Sequence, residues 1–218
     1  MRLDHVSYAA GPDGLVQTAK QLGELLGQEF VDGGVHPRFG TRNYILPMRG
    51  GLYLEVVEAL EHPASDKAPF GQAVKARSAL GGGWIGFVIG VDDMTPIEER
   101  LGRKAVPGNR HLPDGRELHW QQIGINGLIA DPQLPYFIKW ETPDLHPGNA
   151  GSDITLTCLE ISGDPERVKD YLGDELKERV DPWTGKPAEN VHIDWVAEHG
   201  TPGLLAAQFV TPRGEVRI

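Results

Sequence analysis

Residues 3–27 read LDHVSYAAGPDGLVQTAKQLGELLG, and the rest of the chain repeats their design twice. Residues 84–102 read WIGFVIGVDDMTPIEERLG, and residues 154–173 read ITLTCLEISGDPERVKDYLG. Each segment is a β-rich run, then an Asp or Gly near a Pro, then an amphipathic helix closing on Leu-Gly. The closing pairs, Leu26-Gly27, Leu101-Gly102 and Leu172-Gly173, recur roughly every 70 residues, the size of one supersecondary unit. Leu15, Ala19, Leu22 and Leu26 fall on one face at helical spacing. Thr95-Pro96-Ile97-Glu98 has the pattern of a capping box with proline at the first helical position. Asp164-Pro165 offers the same pairing of N-cap and first position. A glycine after the last leucine can take the left-handed conformation that ends a helix.

Further strand runs follow each helix. The first unit supplies RNYILPM (42–48) and GLYLEVVEA (51–59), split by the turn Arg49-Gly50-Gly51. The second supplies ELHWQQIGI (117–125) and LPYFIKWE (134–141), split around Asn126-Gly127. The third supplies VHIDWVAE (191–198), LLAAQFV (204–210) and GEVRI (214–218). The pattern per unit is β-α-β-β-β, so the predicted fold class is α+β. Tandem βαβββ units form a cupped mixed sheet, and a third βαβββ-like unit stands at the C-terminus. Residues 1–150 hold the paired units and residues 151–218 the third. Residues 61–83 and 142–152 read as linkers. Two paired units close one cup, and the strands of the third are too apolar to stand alone in water. It is therefore expected to pack on the first two or on a partner chain.

The 218 residues carry a net charge of −10, and no basic stripe offsets it. That excludes nucleic acid and an anionic membrane surface as expected partners. One cysteine, Cys158, allows no intrachain disulfide, and its run ITLTCLEI reads as a buried structural thiol. The opening MRLDHVSYAA carries charges and no long apolar core, so it does not read as a signal peptide. No run approaches the length of a bilayer span. The expectation is a soluble, cytoplasmic protein. No G-x-S-x-G, P-loop, H-E-x-x-H or paired C-x-x-C occurs, and Gly81-Gly82-Gly83 precedes a strand instead of following one. Serine or cysteine nucleophiles and dinucleotide binding are therefore not indicated.

Several motifs now occur in an order that resembles a known family. The tandem βαβββ units resemble the vicinal oxygen chelate superfamily, which includes glyoxalase I and extradiol dioxygenases. LDHVSYAA is similar to its first strand. GGVHPRFGTRNYIL (33–46) followed by GLYLEVVE (51–58) resembles the glyoxalase-like domain subgroup, as does LPYFIKWETPDLHPG (134–148). The resemblance implies a site in the cup. There a first-strand His and a last-strand Glu hold a divalent metal that binds two neighbouring oxygens of the substrate. Here those residues are His5 and Glu55, as metal ligands or as a catalytic acid–base pair. Strand alternation agrees, since Leu3, His5 and Ser7 share one face, as do Tyr53, Glu55 and Val57. In the second unit Gly86 falls opposite His5 and Ile138 opposite Glu55, and neither can ligate. A third ligand would have to come from His119, Glu141 or His36.

The residues themselves leave alternatives. His5 reads as a ligand, a general base or a half-buried strand histidine. Glu55 lies among Leu, Tyr and Val, so it needs a partner: a metal, a substrate group or His5. A raised pKa would make it a proton shuttle; an edge position would leave it in solvent. His36-Pro37 forces an extended or turn backbone. His36, Arg38, Thr41 and Asn43 could hold substrate oxygens. Trp120 and Trp140 fall on strands flooring the second half of the cup and are candidates to stack on a ligand. Trp84, Trp183 and Trp195 read as core or wall, and His62 and His146 as loop punctuation. Asp92-Asp93 reads as helix-start chemistry. The functional expectation is a glyoxalase-like protein of isomerase, lyase or dioxygenase type, acting on a small oxygen-rich metabolite, metal-assisted or not. The alternative is a metal-free binding protein on the same fold, and a third reading makes the fold a scaffold for a homodimer.

Overall fold

In the computed structural model, which describes residues 1–173, 191–198 and 200–218, the first unit starts with β1 (Arg2–Ala9) and α1 (Gly14–Leu26). It continues through β2 (Val31–His36), β3 (Thr41–Pro47) and β4 (Tyr53–Ala59). Two helices, α2 (Pro63–Lys67) and α3 (Pro69–Ala79), fill the segment that reads as a linker. The second unit comprises β5 (Gly83–Gly90), α4 (Thr95–Leu101), β6 (Val106–His111), β7 (Glu117–Ile123), the short α5 (Gly127–Ala130) and β8 (Tyr136–Trp140). The third comprises β9 (Thr155–Gly163), α6 (Pro165–Leu172), β10 (His192–Glu198), β11 (Gly203–Thr211) and β12 (Gly214–Arg217). Trp183 lies outside the described residues.

The helix ends follow the local chemistry. Gly27, Gly102 and Gly173 cap the three helices of the repeat in the left-handed conformation, with φ of 77°, 62° and 70°. Asp164 caps α6 by accepting from the N–H groups of Glu166 (3.0 Å) and Arg167 (3.3 Å). At α4 the cap moves back. Met94 takes the N-cap position, and Asp93 accepts from the Thr95 N–H at 3.0 Å. The strands missed in the sequence, β2 (VDGGVH) and β6 (VPGNRH), have glycine or proline where alternation would show. They become strands because β3 and β7 supply their ladder bonds.

Eight strands close into a barrel in the order β1-β4-β3-β2-β6-β7-β8-β5. β1 and β5 pair antiparallel, and β2 meets β6 at Val35 and His111. The third unit forms its own sheet, β10-β9-β11-β12. β1 runs parallel to β4 with His5 beside Tyr53 and Ser7 beside Glu55. In the second unit β5 runs parallel to β8 with Val88 beside Tyr136. By register, then, the counterpart of His5 is Val88 and not Gly86, since each lies beside the tyrosine of its unit's last strand.

The barrel is inside-out in polarity. Outward side chains such as Val6, Leu54, Phe87 and Phe137 join one apolar cluster with Ile154, Leu159, Ile161, Leu204 and Phe209 of the third unit. Burying each such side chain contributes about 1.5–3 kcal/mol, so the third sheet supplies the apolar cover that water would otherwise occupy. The Trp84 indole N–H adds a 3.0 Å bond to the Ile218 carbonyl across the same boundary. Inward side chains include a set of polar groups that are equally buried, His5, Ser7, His36, Asn43, Glu55, Arg110 and Gln122, beside apolar ones such as Val88 and Ile138. Cys158 is a buried free thiol, and burial and the neighbouring Asp194 push it above its ordinary pKa, unlike a nucleophile. Among the described residues no helix is long and apolar enough to cross a membrane.

Candidate functional site

A register irregularity in β1 between Leu3 and His5 turns two consecutive side chains, Asp4 and His5, toward each other. The Asp4 carboxylate is fully buried against the backbone of Gly90, where a side-chain carbon would stand 2.8 Å from its Oδ2. It is bonded on three sides. His5 Nδ1 lies 2.9 Å from Oδ1, the Trp140 indole N–H donates to Oδ2 at 3.1 Å, and His146 Nε2 lies 3.3 Å from Oδ2. Burial pushes the Asp4 pKa up. The hydrogen bonds and charge of His146 and His5 outweigh it and hold the group well below its ordinary value.

These partners fix the tautomers. His146 Nδ1 accepts from the Gly148 N–H at 3.0 Å, so its proton sits on Nε2 and is donated to Asp4. A carboxylate at His5 Nδ1 likewise places the proton there, leaving Nε2 as an acceptor 3.3 Å from the Tyr136 hydroxyl. The His5 ring is stacked on Tyr53, with centroids 4.3 Å apart and planes 15° apart. Asp4, His5 and Tyr136 thus form a chain that ends inside the barrel.

Glu55 faces the same interior. Asn43 Nδ2 donates to its Oε1 at 2.6 Å and Ser7 Oγ to its Oε2 at 2.8 Å. Burial would raise its pKa, but His5, His36 and the two hydrogen bonds hold it below the ordinary value. Of the alternatives for Glu55, the raised pKa of a proton shuttle is opposite in direction to the shift found: Glu55 is a fixed carboxylate. His36 is bonded through Nδ1 to Thr41 Oγ1 at 2.9 Å. Burial, with Arg110 and His5 against Glu55, lowers its pKa to about 4, so it is neutral at pH 7. Tyr53 and Tyr136 are pushed well above 10 by burial and by the carboxylates, and both remain donors.

His5, Tyr53, Glu55, His36, Arg110, Trp120, Gln122, Tyr136 and Trp140 line one cavity, walled by Phe39, Phe70 and Ile138. Its volume is about 20 Å³, room for a water and little more. Phe39, Phe70 and Gln122 also line an adjoining cavity of about 250 Å³ that opens toward Arg103 and Lys104. The two phenylalanine rings, 6.0 Å apart, stand between the reactive groups and this vestibule.

Of the residues expected in the site, His5, Glu55, His36, Trp120 and Trp140 line the cavity. Thr41 and Asn43 stand behind it, holding His36 and Glu55. Arg38 departs from expectation: it sits in the turn between β2 and β3, is exposed, and donates to Asn109 Oδ1 at 3.1 Å. His119 is half-exposed and pairs with Glu117, away from the cavity lining, and Glu141 is exposed and bonded to Gln121. Asp4, Tyr53, Tyr136, Arg110, Gln122 and His146 were not identified from the sequence. Tyr136 carried a readable signal, since it repeats Tyr53 in the second unit. Asp4 and His146 carried none, because a bulge and a 3₁₀ turn bring them together.

The divalent ion implied by the resemblance does not fit this donor set. His5 offers only Nε2, which lies 3.3 Å from the Tyr136 hydroxyl, and Glu55 is held by Asn43 and Ser7. Among the described residues His36, the third ligand expected from this cavity, does not converge with them as a group that could hold an ion. Val88, Gly86 and Ile138 offer no ligand from the second unit. Among the described residues no group of three His, Cys, Asp or Glu side chains could hold an ion. The cation lining the cavity is Arg110.

A family model described as "Glyoxalase-like domain" matches residues 3–175. No curated protein shows significant similarity to the chain. Among solved structures, a hypothetical protein from Staphylococcus aureus aligns over 100% of this chain and 85% of its own, at 12% identity and a TM-score of 0.59. A methylmalonyl-CoA epimerase from Mycobacterium tuberculosis covers 64% of this chain and 86% of its own, at 15% identity and a TM-score of 0.42. A Streptomyces coelicolor methylmalonyl-CoA epimerase variant in complex with 2-nitronate-propionyl-CoA covers 64% and 93%, at 15% identity and a TM-score of 0.42. At these identities the first likeness is one of fold, and the other two carry no argument about this chain.

Proposed function

The chain belongs to the glyoxalase-like domain family, and on that premise we propose that its barrel moves a proton on a small oxygen-rich metabolite without a metal. The observation that carries this reading is the buried Asp4–His5–Tyr136 chain, in which His5 Nε2, the acceptor of the Tyr136 hydroxyl, lies in the cavity lined also by the ionised Glu55. His5 Nε2 takes a proton from a carbon next to a carbonyl. The C–H electron pair moves onto the carbonyl oxygen, giving an enolate. Asp4 holds the imidazole in the working tautomer and stabilises the imidazolium that forms. The Tyr53 hydroxyl, kept protonated by burial, is a donor available to the enolate oxygen, and the Tyr136 hydroxyl becomes one when His5 Nε2 takes the proton and no longer accepts from it. Return of the proton from His5 to the same carbon completes a redox-neutral exchange or epimerisation. In a 2-hydroxy carbonyl, its return to the former carbonyl carbon, with the hydroxyl proton passing to the enolate oxygen, completes a redox-neutral isomerisation. Loss of a leaving group from the enolate would give a lyase.

Proton NMR in D2O tests the reading with a panel of small 2-oxo and 2-hydroxy carbonyl compounds. The wild type should exchange C–H for C–D in at least one of them, with or without a chelator. His5→Asn and Asp4→Asn should slow the exchange by about 10²-fold or more. Exchange by His5→Asn at the wild-type rate defeats the proposal, and exchange lost on chelation and restored by a divalent ion returns the metal reading. The apolar Val88 and Ile138 in the second half of the cup favour a second reading, a protein that only sequesters the same ligand. Saturable binding with no exchange by any panel member would establish that one.

A further inference from the structure

We infer that Arg110 is the anchor for a carboxylate of the ligand, and that the ligand enters headfirst from the vestibule. This rests on the small-molecule reading above and names the chemical class of its substrate. Arg110 sits on β6 with only 3% of its surface exposed. With Gly108 it makes up the inward face of that strand. Its guanidinium lines the cavity with His5 and Glu55, and its Nε has no hydrogen-bond partner.

A buried guanidinium is retained where something pairs it. Its neighbours do not do so. Glu55 and Asp32 act on it through their charge, but among the described residues no carboxylate makes an ion pair or hydrogen bond with it, and Glu55 is held by Asn43 and Ser7. Asp32 bonds the backbone N–H of Gly34. Tyr53 is held protonated. The missing partner is an anion of the ligand. The planar fork of a guanidinium matches the two oxygens of a carboxylate, and a flat two-oxygen group needs less widening of this narrow cavity than a tetrahedral phosphate. The route is consistent with that charge. The vestibule carries Arg103 and Lys104 on a chain whose net charge is −10, and it shares Phe39, Phe70 and Gln122 with the cavity that Arg110 lines. A carboxylate seated on Arg110, with the cavity widened from its present volume of about 20 Å³, would bring the carbon next to it toward His5 Nε2.

Equilibrium titration tests this on the full chain, read by the fluorescence of Trp120 and Trp140 and by ligand-induced shifts in Tm. The probes are acetate, pyruvate, 2-oxobutyrate and glyoxylate, each paired with its neutral amide, and inorganic phosphate. At least one carboxylate should bind saturably, its amide at least tenfold more weakly, and phosphate more weakly than the carboxylate. Arg110→Lys should weaken carboxylate binding by tenfold or more and Arg110→Met should abolish it. Arg110→Met should hold or raise Tm without ligand, because it removes an unpaired buried charge, which also shows that the variant folds. No binding by any carboxylate, equal binding of an amide, or full binding by a folded Arg110→Met would overturn the inference. His5→Asn separates the two readings. Carboxylate binding kept with no exchange in any protein refutes proton transfer and leaves the anchor standing. Exchange by wild type that is indifferent to Arg110→Met refutes the anchor and leaves proton transfer standing.

Discussion

His36 offers a direct measure of how dry and how positive the barrel interior is. Its pKa is depressed from 6.5 to about 4, first by burial and then by Arg110 and His5, against the opposing pull of Glu55. As pH falls through 6.5 the unfolded chain takes up a proton at this residue, and the folded chain does not until about pH 4. Between those values the unfolded state binds more protons. The stability His36 provides is therefore complete above its unfolded pKa and is lost as pH falls. Between pH 7.5 and pH 5 the loss is about 2 kcal/mol, or roughly 4–8 °C in Tm for a chain of this size. The perturbation is His36→Gln, which keeps a polar group near Thr41 and removes the titration. Urea unfolding of both proteins at the two pH values isolates the residue, because the other histidines and the buried carboxylates are common to both. The variant should lose about 2 kcal/mol less than the wild type over this interval. Parallel losses in the two proteins would refute the assignment of a neutral, desolvated His36, and with it the positive field ascribed to Arg110.

Gly108 lies under the Trp120 ring so closely that an added methyl would stand 2.3 Å from indole Cε2. Gly108→Ala should displace the indole from Gln122 Oε1, which it now bonds at 2.7 Å. The expected cost is about 1–3 kcal/mol of overpacking, with a changed tryptophan emission; an unchanged spectrum and Tm would contradict that packing. Removing residues 152–218 should uncover the outward face of β1, β4, β5 and β8, including Phe87 and Phe137. The fragment should be insoluble or bind a hydrophobic dye without a cooperative melt, and a soluble, cooperatively melting 1–151 fragment would show that the barrel is its own folding unit.

The interior chemistry has a common physical logic. A barrel whose apolar side chains point outward needs an apolar cover, and the third sheet provides it. Polar side chains that point inward need their hydrogen-bonding atoms met, and the oxygens of Asp4 and Glu55 are. Asp4 has two imidazoles and an indole N–H, and Glu55 has an amide and a hydroxyl. Among the described residues that line the cavity, Arg110 is left with its Nε donor unsatisfied. That is why the candidate chemistry centres on His5 Nε2 and Arg110 and not on the pair of groups, His5 and Glu55, that the motifs first bring to mind.

What the sequence determined by itself was the repeat. Helical spacing, Asp-Pro starts and Leu-Gly stops are local, each set by the backbone and side-chain chemistry of a few adjacent residues, so α1, α4 and α6 and their capping glycines were legible. Strand alternation put His5 and Glu55 on inward faces for the same local reason. Tertiary structure decided the rest. β2 and β6 exist because neighbouring strands bond them, and their glycines and proline conceal this. The apolar counterpart of His5 is Val88 because inter-strand register, not alignment of repeats, sets who stands opposite whom. Asp4 meets His146, which lies far along the chain, only through a bulge and a turn. The Glu55 pKa moved down where burial alone moves it up, because Asn43 and Ser7 reach it from other strands. Charge balance in a dry cavity is a sum over all the walls, and a linear sequence does not say which walls will meet.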